Sequence, residues 1–241
     1  MHHRGLAWCS AGAAVACGVY WACVSPRSQL LGSFPSRGGR ADRVVALTFD
    51  DGPNEPYTSQ IGDLLAGENI CATFFQVGRC TERHPATASR LIGQGHVIGN
   101  HSYSHRLARC IRPAAQRHET RRTQDLLAAA IGRRPALYRP PWLLRTPWLM
   151  TALRTSGLQP VSGVFCHAWE AFQPGAHRIA RRALAKTRPG TILIFHDGSD
   201  SRGGDRTQTV AAVELVVAEL KSRGYRFVTV DQLLRIAPYQ D

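Results

Sequence analysis

The chain has 241 residues, 44% hydrophobic and 20% charged, which excludes a disordered polar polymer and suits one core of the size that α/β barrels reach as a single domain. Its formal net charge of +13 is carried almost wholly by arginine, since lysine occurs only at Lys186 and Lys221. Such a surface favours anionic partners, among them phospholipid headgroups, acidic cell-wall polymers and nucleic acid, but no aromatic-interleaved basic stripe or zinc-finger spacing supports nucleic-acid readout, and solvated arginine-rich faces are the blander account.

From Gly5 to Val24 the sequence is apolar and uncharged after His2, His3 and Arg4, so residues 1–24 read as a signal peptide or a membrane anchor outside the fold. The run is long enough to span a bilayer, while Ala14-Val15-Ala16 resembles a signal-peptidase site and Cys17 or Cys23 after a small residue hints at a lipoprotein. An envelope location follows, exported or membrane-anchored. Arg27, Arg37, Arg40 and Arg43 outnumber Arg4, and the positive-inside tendency leaves the side of the membrane open. Residues 25–42, rich in Pro, Gly, Ser and Arg, read as a flexible linker, and the domain is expected over 43–238.

Within that domain, apolar β-branched runs alternate with longer amphipathic segments. Strands are predicted at Val44–Phe49, Cys71–Gln76, His96–Ile98, Leu137–Arg139, Val161–Phe165, Thr191–Phe195 and Arg226–Val230. Helices are predicted around Tyr57–Ala66, Pro85–Ile92, Pro113–Ala130, Thr146–Thr155, His177–Lys186 and Thr209–Lys221, with a last one from Asp231. About seven strand–helix units, each strand needing cover on both faces, predict a distorted (β/α) barrel with its chemistry at the C-terminal strand ends. Of the domain cysteines, Cys71, Cys80, Cys110 and Cys166 allow two disulfides, but buried free thiols are the favoured reading.

The chemistry-bearing residues fall at those strand ends. Thr48-Phe49-Asp50-Asp51-Gly52-Pro53 places adjacent carboxylates after an apolar run, where one can bind a metal while the other moves protons. His101-Ser102-Tyr103-Ser104-His105 spaces two histidines for one face of a helical turn and a single metal. Arg139-Pro140-Pro141-Trp142 and Phe195-His196-Asp197 follow in order. Taken singly, each has an ordinary account: a tight turn, two partly buried histidines, a capped core histidine. Taken together, on one rim, they point to a metal hydrolase.

These motifs resemble the NodB-homology polysaccharide deacetylases, carbohydrate esterase family 4, over roughly Arg43 to Leu234. The likeness extends to Ala72-Thr73-Phe74-Phe75 with Gly78, to the run from Gly95 into His101, and to Arg188-Pro189-Gly190-Thr191-Ile192. It implies that Asp51, His101 and His105 hold one divalent metal ion, zinc first, with cobalt, nickel or manganese as alternatives. Asp50 is then the base that takes a proton from the attacking water, His196 the acid that protonates the leaving amine, and Arg139 the partner that orients the base. The backbone N–H of Trp142 is the implied oxyanion donor, and Trp142 and Ile194 line the acetyl-methyl pocket, core packing being the alternative for Ile194.

The resemblance implies a glycan substrate carrying N-acetylated amino sugars, such as a chitin-like oligosaccharide or peptidoglycan, with the membrane as a partner through the apolar N-terminus. It says nothing of oligomeric state. One departure stands out. The family carries an Asp-x-x-Asp-Trp run whose first Asp supports the catalytic histidine, and here the aligned stretch is Phe165-Cys166-His167-Ala168-Trp169. Glu170, His167 and Asp197 are the candidates to replace it. Leu143, where the family prefers glycine, suggests an altered groove floor. Alternatives to the deacetylase are a deacylase or deformylase of a lipid-linked sugar and a catalytically decayed, metal-binding glycan-recognition module.

Overall fold

The computed structural model describes residues 17–240 except 40, 41 and 201. A short helix, α1, covers 17–24. The first strand, β1 (Val44–Asp50), leads through α2 (Tyr57–Gly67) to β2 (Thr73–Gln76), then through α3 (Gly78–Arg83) and α4 (Pro85–Gly93) to β3 (Val97–Asn100). Helices α5 (Leu107–Cys110) and α6 (Pro113–Ile131) precede the short strands β4 (Arg134–Pro135) and β5 (Leu137–Tyr138). The chain continues through α7 (Pro147–Thr155), β6 (Gln159–Pro160), β7 (Val164–Phe165), α8 (Ala176–Lys186) and β8 (Thr191–His196). It closes with α9 (Thr207–Ser222), β9 (Arg226–Phe227), α10 (Val230–Leu234) and β10 (Tyr239–Gln240).

The main sheet runs β6-β5-β3-β2-β1-β8-β7, with β9 also on β1, and its pairings are parallel. This is the expected α/β architecture, a curled sheet of seven strands in series that stops short of a closed barrel. β1 lies at the centre because it is buried on both faces: Val45, Leu47 and Phe49 pack with Phe74, Leu193 and Phe195 under the helices, while Ala46 turns with Phe75, Ile192 and Val161 into the interior. The two-residue period of a strand puts Thr48 and Asp50 on the same interior side as Ala46. The strand ends therefore deliver Asp50 to the mouth by the same alternation that builds the core.

Several expectations need correction. The segment 25–42, expected to be a flexible linker, is packed on the barrel over its described residues. Phe34 is fully buried with Leu143 and Ile194. Ser162 donates its backbone N–H to Pro35 O, and Arg37 bridges to Thr191 at the edge of β8. The buried guanidinium of Arg145 donates to the carbonyls of Ser25 and Ser28 at 2.7 and 2.5 Å. A sequence rich in turn formers thus makes a strap, because its few apolar and carbonyl groups find distant partners. The strand expected at Val161–Phe165 is cut to Val164–Phe165.

Of the apolar run Gly5–Val24, residues 5–16 lie outside the described residues. Among the described residues no helix is long and apolar enough to cross a membrane. Cys71, Cys80, Cys110 and Cys166 are free thiols, as favoured from the sequence.

Candidate active site

Asp50 and His196 are register partners at the ends of the adjacent strands β1 and β8. Beneath them the interior holds Arg139, which donates to Asp50 Oδ1 at 2.7 Å, to Thr48 Oγ1 at 2.6 Å and to Ser162 O at 3.0 Å. Its guanidinium also lies 4.1 Å from the centre of the Phe75 ring. Burial pulls the Arg139 pKa down and Asp50 opposes that fall, so the pair is mutually dependent. Five donors in a rigid fork explain why arginine suits this position.

Asp51 turns away from Asp50 through a left-handed φ of 77°. Its Oδ1 faces His101 Nε2 at 3.3 Å and His105 Nε2 at 3.2 Å and finds no hydrogen-bond donor. The Nδ1 of His101 lies 2.7 Å from the carbonyl of Arg139, so that nitrogen carries the proton and Nε2 presents a lone pair. His105 Nδ1 lies 2.9 Å from Asp200 Oδ1. Ligand atoms of Asp51, His101 and His105 thus lie within 4.8 Å of one another, all buried. Acceptors gathered around a buried carboxylate oxygen are what a cation reconciles, and the Asp-His-His donor set fits a divalent metal with open positions. Burial would raise the Asp51 pKa, but the His105 imidazole first, with His101 and His196 beside it, holds it far below the usual carboxylate range.

The two histidines do not share a helical turn, as their spacing predicts. They sit on a loop after β3 in which Ser102 and His105 have φ of 67° and 50°. The loop is shaped by Glu119 of α6, whose Oε2 accepts from Ser104 N at 2.6 Å, Ser104 Oγ at 2.8 Å and Ser102 Oγ at 3.2 Å. Glu119 was missed from the sequence. A signal was present: α6 buries Gln116, Glu119, Thr120, Thr123 and Gln124, a polar row at helical spacing where a core helix would be apolar.

The missing support for His196 is supplied by Glu170, one of the three candidates. Its Oε2 lies 2.9 Å from His196 Nδ1, and its Oε1 accepts the His196 backbone N–H at 3.1 Å and the Thr209 hydroxyl at 3.0 Å. Cys166 Sγ donates to Oε2 at 3.1 Å. Burial lowers the His196 pKa, but the hydrogen bond and charge of Glu170, with Asp51 and Asp50, push it up to about 9.

Of the other two candidates, His167 contacts its own loop through Trp169 N. Asp197 instead holds the Asp50-Asp51-Gly52 turn, accepting from Gly52 N at 3.1 Å and Thr58 Oγ1 at 2.6 Å. A Cβ at Gly52 would collide with the Asp197 carboxylate, so only glycine admits this contact. Burial raises the Asp197 pKa to about 7, opposed by the Thr58 bond and aided by Asp51 and Asp50.

Trp142 and Leu143 take consecutive left-handed φ of 53° and 55°, and the half-exposed Trp142 ring lies 4.4 Å from that of His105. Ile194 is fully buried against Phe34 and Leu143, with Phe165 at its side, so it forms the floor below this wall rather than an open face.

Comparison with known proteins agrees with this geometry. Residues 37–161 match the family model for polysaccharide deacetylase. A peptidoglycan-N-acetylglucosamine deacetylase of Bacillus cereus is 33% identical over 206 residues, covering 80% of this chain and 89% of that protein. A chitooligosaccharide deacetylase of Rhizobium leguminosarum bv. trifolii is 32% identical over 203 residues, covering 80% and 93%. The crystal structure of the Bc1960 peptidoglycan N-acetylglucosamine deacetylase superposes with a TM-score of 0.78 at 30% identity, covering 85% of this chain and 94% of that one. An Asp-His-His group that could hold a metal ion, with Asp50 paired to Arg139 and His196 paired to Glu170, agrees with these matches, which show that this chain belongs to the polysaccharide deacetylase family.

Proposed function

We propose that this chain is a metal-dependent hydrolase that removes N-acetyl groups from amino-sugar residues of a glycan in the cell envelope, peptidoglycan or a chitin-like oligosaccharide. The observation that carries this reading is the pairing of Asp50 and His196 side by side at the mouth, each with its own buried partner, next to Asp51, His101 and His105. Those three residues would hold the divalent ion, zinc by donor preference, which supplies Lewis acidity toward the amide carbonyl and toward water. Asp50, fixed by Arg139, takes the proton of the attacking water. His196, protonated up to a pH near 9, gives its proton to the departing amine. The Trp142 N–H is the donor for the developing oxyanion, and the Trp142 ring bounds the acetyl methyl, backed by the buried Ile194 beneath it. The apolar run Gly5–Val24 supports an exported or membrane-anchored location.

The test is acetate release from N-acetylglucosamine oligomers and from peptidoglycan by the full chain, stripped of metal and then reloaded with zinc, cobalt, nickel or manganese, with Asp50→Asn as control. Release that needs both metal and Asp50 is expected. No release from folded, metal-loaded protein on any of these substrates would overturn the reading.

A further inference from the structure

One wholly basic helix face lies near His196. Every charged residue of α8 is basic, and Arg178, Arg182 and Lys186 recur every fourth residue, a single row along the helix side. Opposite this row, the 165–172 loop exposes Trp169 and Phe172, 64% and 77% accessible, with rings 5.8 Å apart. A hollow of about 580 Å³ lies between row and loop, lined by Trp169, Arg178, Arg181, Arg182 and Lys186 with His167 and Ala168. Across Ala168 and Lys186 it continues into a hollow of about 1030 Å³ between α8 and the strap, where Trp21 and Phe165 form walls and Arg27 and Arg188 stand at the rim.

No Asp or Glu is among the described residues that line either hollow. The cations converge on one place: burial first, then the charges of Arg182, Lys186 and Arg178, depress the pKa of His167. The trough also shares a wall with the active site. Phe165 lines the larger hollow, lies parallel to the His196 ring at 6.1 Å and an interplanar angle of 3°, and accepts the Lys186 ammonium on its carbonyl.

Cations alone suit any polyanion, and exposed flat rings between them narrow the choice. Aromatic faces stack on the C–H faces of sugars while arginines take carboxylate or phosphate oxygens in paired hydrogen bonds. Two joined concave hollows suit a chain of sugars better than the flat plane of a bilayer.

We propose that this trough is a second glycan subsite, selective for a stretch of acidic polysaccharide bearing carboxylate or phosphate groups, and that it feeds the same chain toward His196. The proposal rests on the deacetylase reading of the neighbouring site and names its substrate class as anionic.

The test is binding of the full chain, followed by tryptophan fluorescence, to an oligogalacturonate, to poly(glycerol phosphate), to a neutral N-acetylglucosamine hexamer and to phosphatidylglycerol vesicles. One or both soluble polyanions should bind, the two arms separating carboxylate from phosphate, and affinity should fall as salt rises. Arg178→Gln with Arg182→Gln should weaken that binding about tenfold, whereas Arg117→Gln with Arg121→Gln, which removes the same charge from an exposed part of α6, should not. Trp169→Ala should weaken it without changing charge. Equal losses from both arginine pairs, binding to vesicles alone, or no polyanion binding would overturn the proposal. Acetate release from the hexamer and from peptidoglycan by the metal-loaded protein, measured on the same preparation, reports on the deacetylase separately: polyanion binding without release from either supports the trough and sinks the catalytic reading.

Discussion

Glu170 Oε2 lies 2.9 Å from His196 Nδ1, while Glu170 Oε1 accepts the backbone N–H of the same histidine, so one carboxylate fixes both ends of the residue expected to protonate the leaving amine. The carboxylate arrives from a 3-10 turn, Glu170–Phe172, placed directly after Trp169. A longer side chain from a later position reaches the imidazole that the family supports with aspartate. The motive for regarding the chain as a decayed binding module therefore disappears.

The imidazole is the first place to look for pH dependence. Its pKa is raised from 6.5 to about 9, so the proton, and the stability linked to it, is fully present below 6.5 and is lost as pH rises through 9. The pH–rate profile should show an alkaline limb near that upper value. Glu170→Gln should move the limb down toward 6.5 and lower the rate at its optimum by up to about 10²-fold. An unmoved limb in the variant would assign it to another group.

Arg139 and Asp50 form a pair in which neither side chain meets solvent to any extent, at 0% and 4% exposure. Arg139→Met should cost about 3–5 kcal/mol of unfolding free energy, because it strands a buried carboxylate. Adding Asp50→Asn to that variant should recover most of the loss in urea denaturation, with acetate release still absent from both.

Glu119 holds the loop that carries His101 and His105, the two histidines proposed to bind the metal, but touches neither ring. Glu119→Gln keeps its size and offers a donor where three donors already converge. It should weaken zinc binding by roughly 10- to 100-fold, read by chelator competition, since outer groups that orient ligands contribute on that scale. An affinity equal to that of the parent chain would make the loop self-supporting.

Phe34 fills a fully buried position against Leu143 and Ile194. Phe34→Ala should cost about 3–5 kcal/mol in urea denaturation, the ordinary range for emptying a buried aromatic site. A loss below about 1 kcal/mol would mean that the strap contributes little to the stability of the barrel.

The parts of the molecule legible in the sequence are those specified by local pattern. β1 and β8 read clearly because Val44–Phe49 and Thr191–Phe195 are unbroken apolar runs, and a strand end places the next polar residue at the mouth. What escaped was set by distant partners. The His101–His105 loop follows Glu119 and two left-handed residues rather than helical spacing, and neither shows in a five-residue window. Residues 25–39 have the composition of a spacer, but Arg145 and Ser162, more than a hundred positions later, supply what pins them down. Glu170 was one of three candidates because sequence distance alone does not tell which carboxylate or imidazole faces His196.

The strap has one more consequence. Residues 25–39 meet the catalytic body through carbonyls gripped by a buried guanidinium and through a phenyl ring seated under the mouth, not as a free spacer. Lengthening or shortening residues 25–39 would therefore alter the floor of the site before it altered any tether.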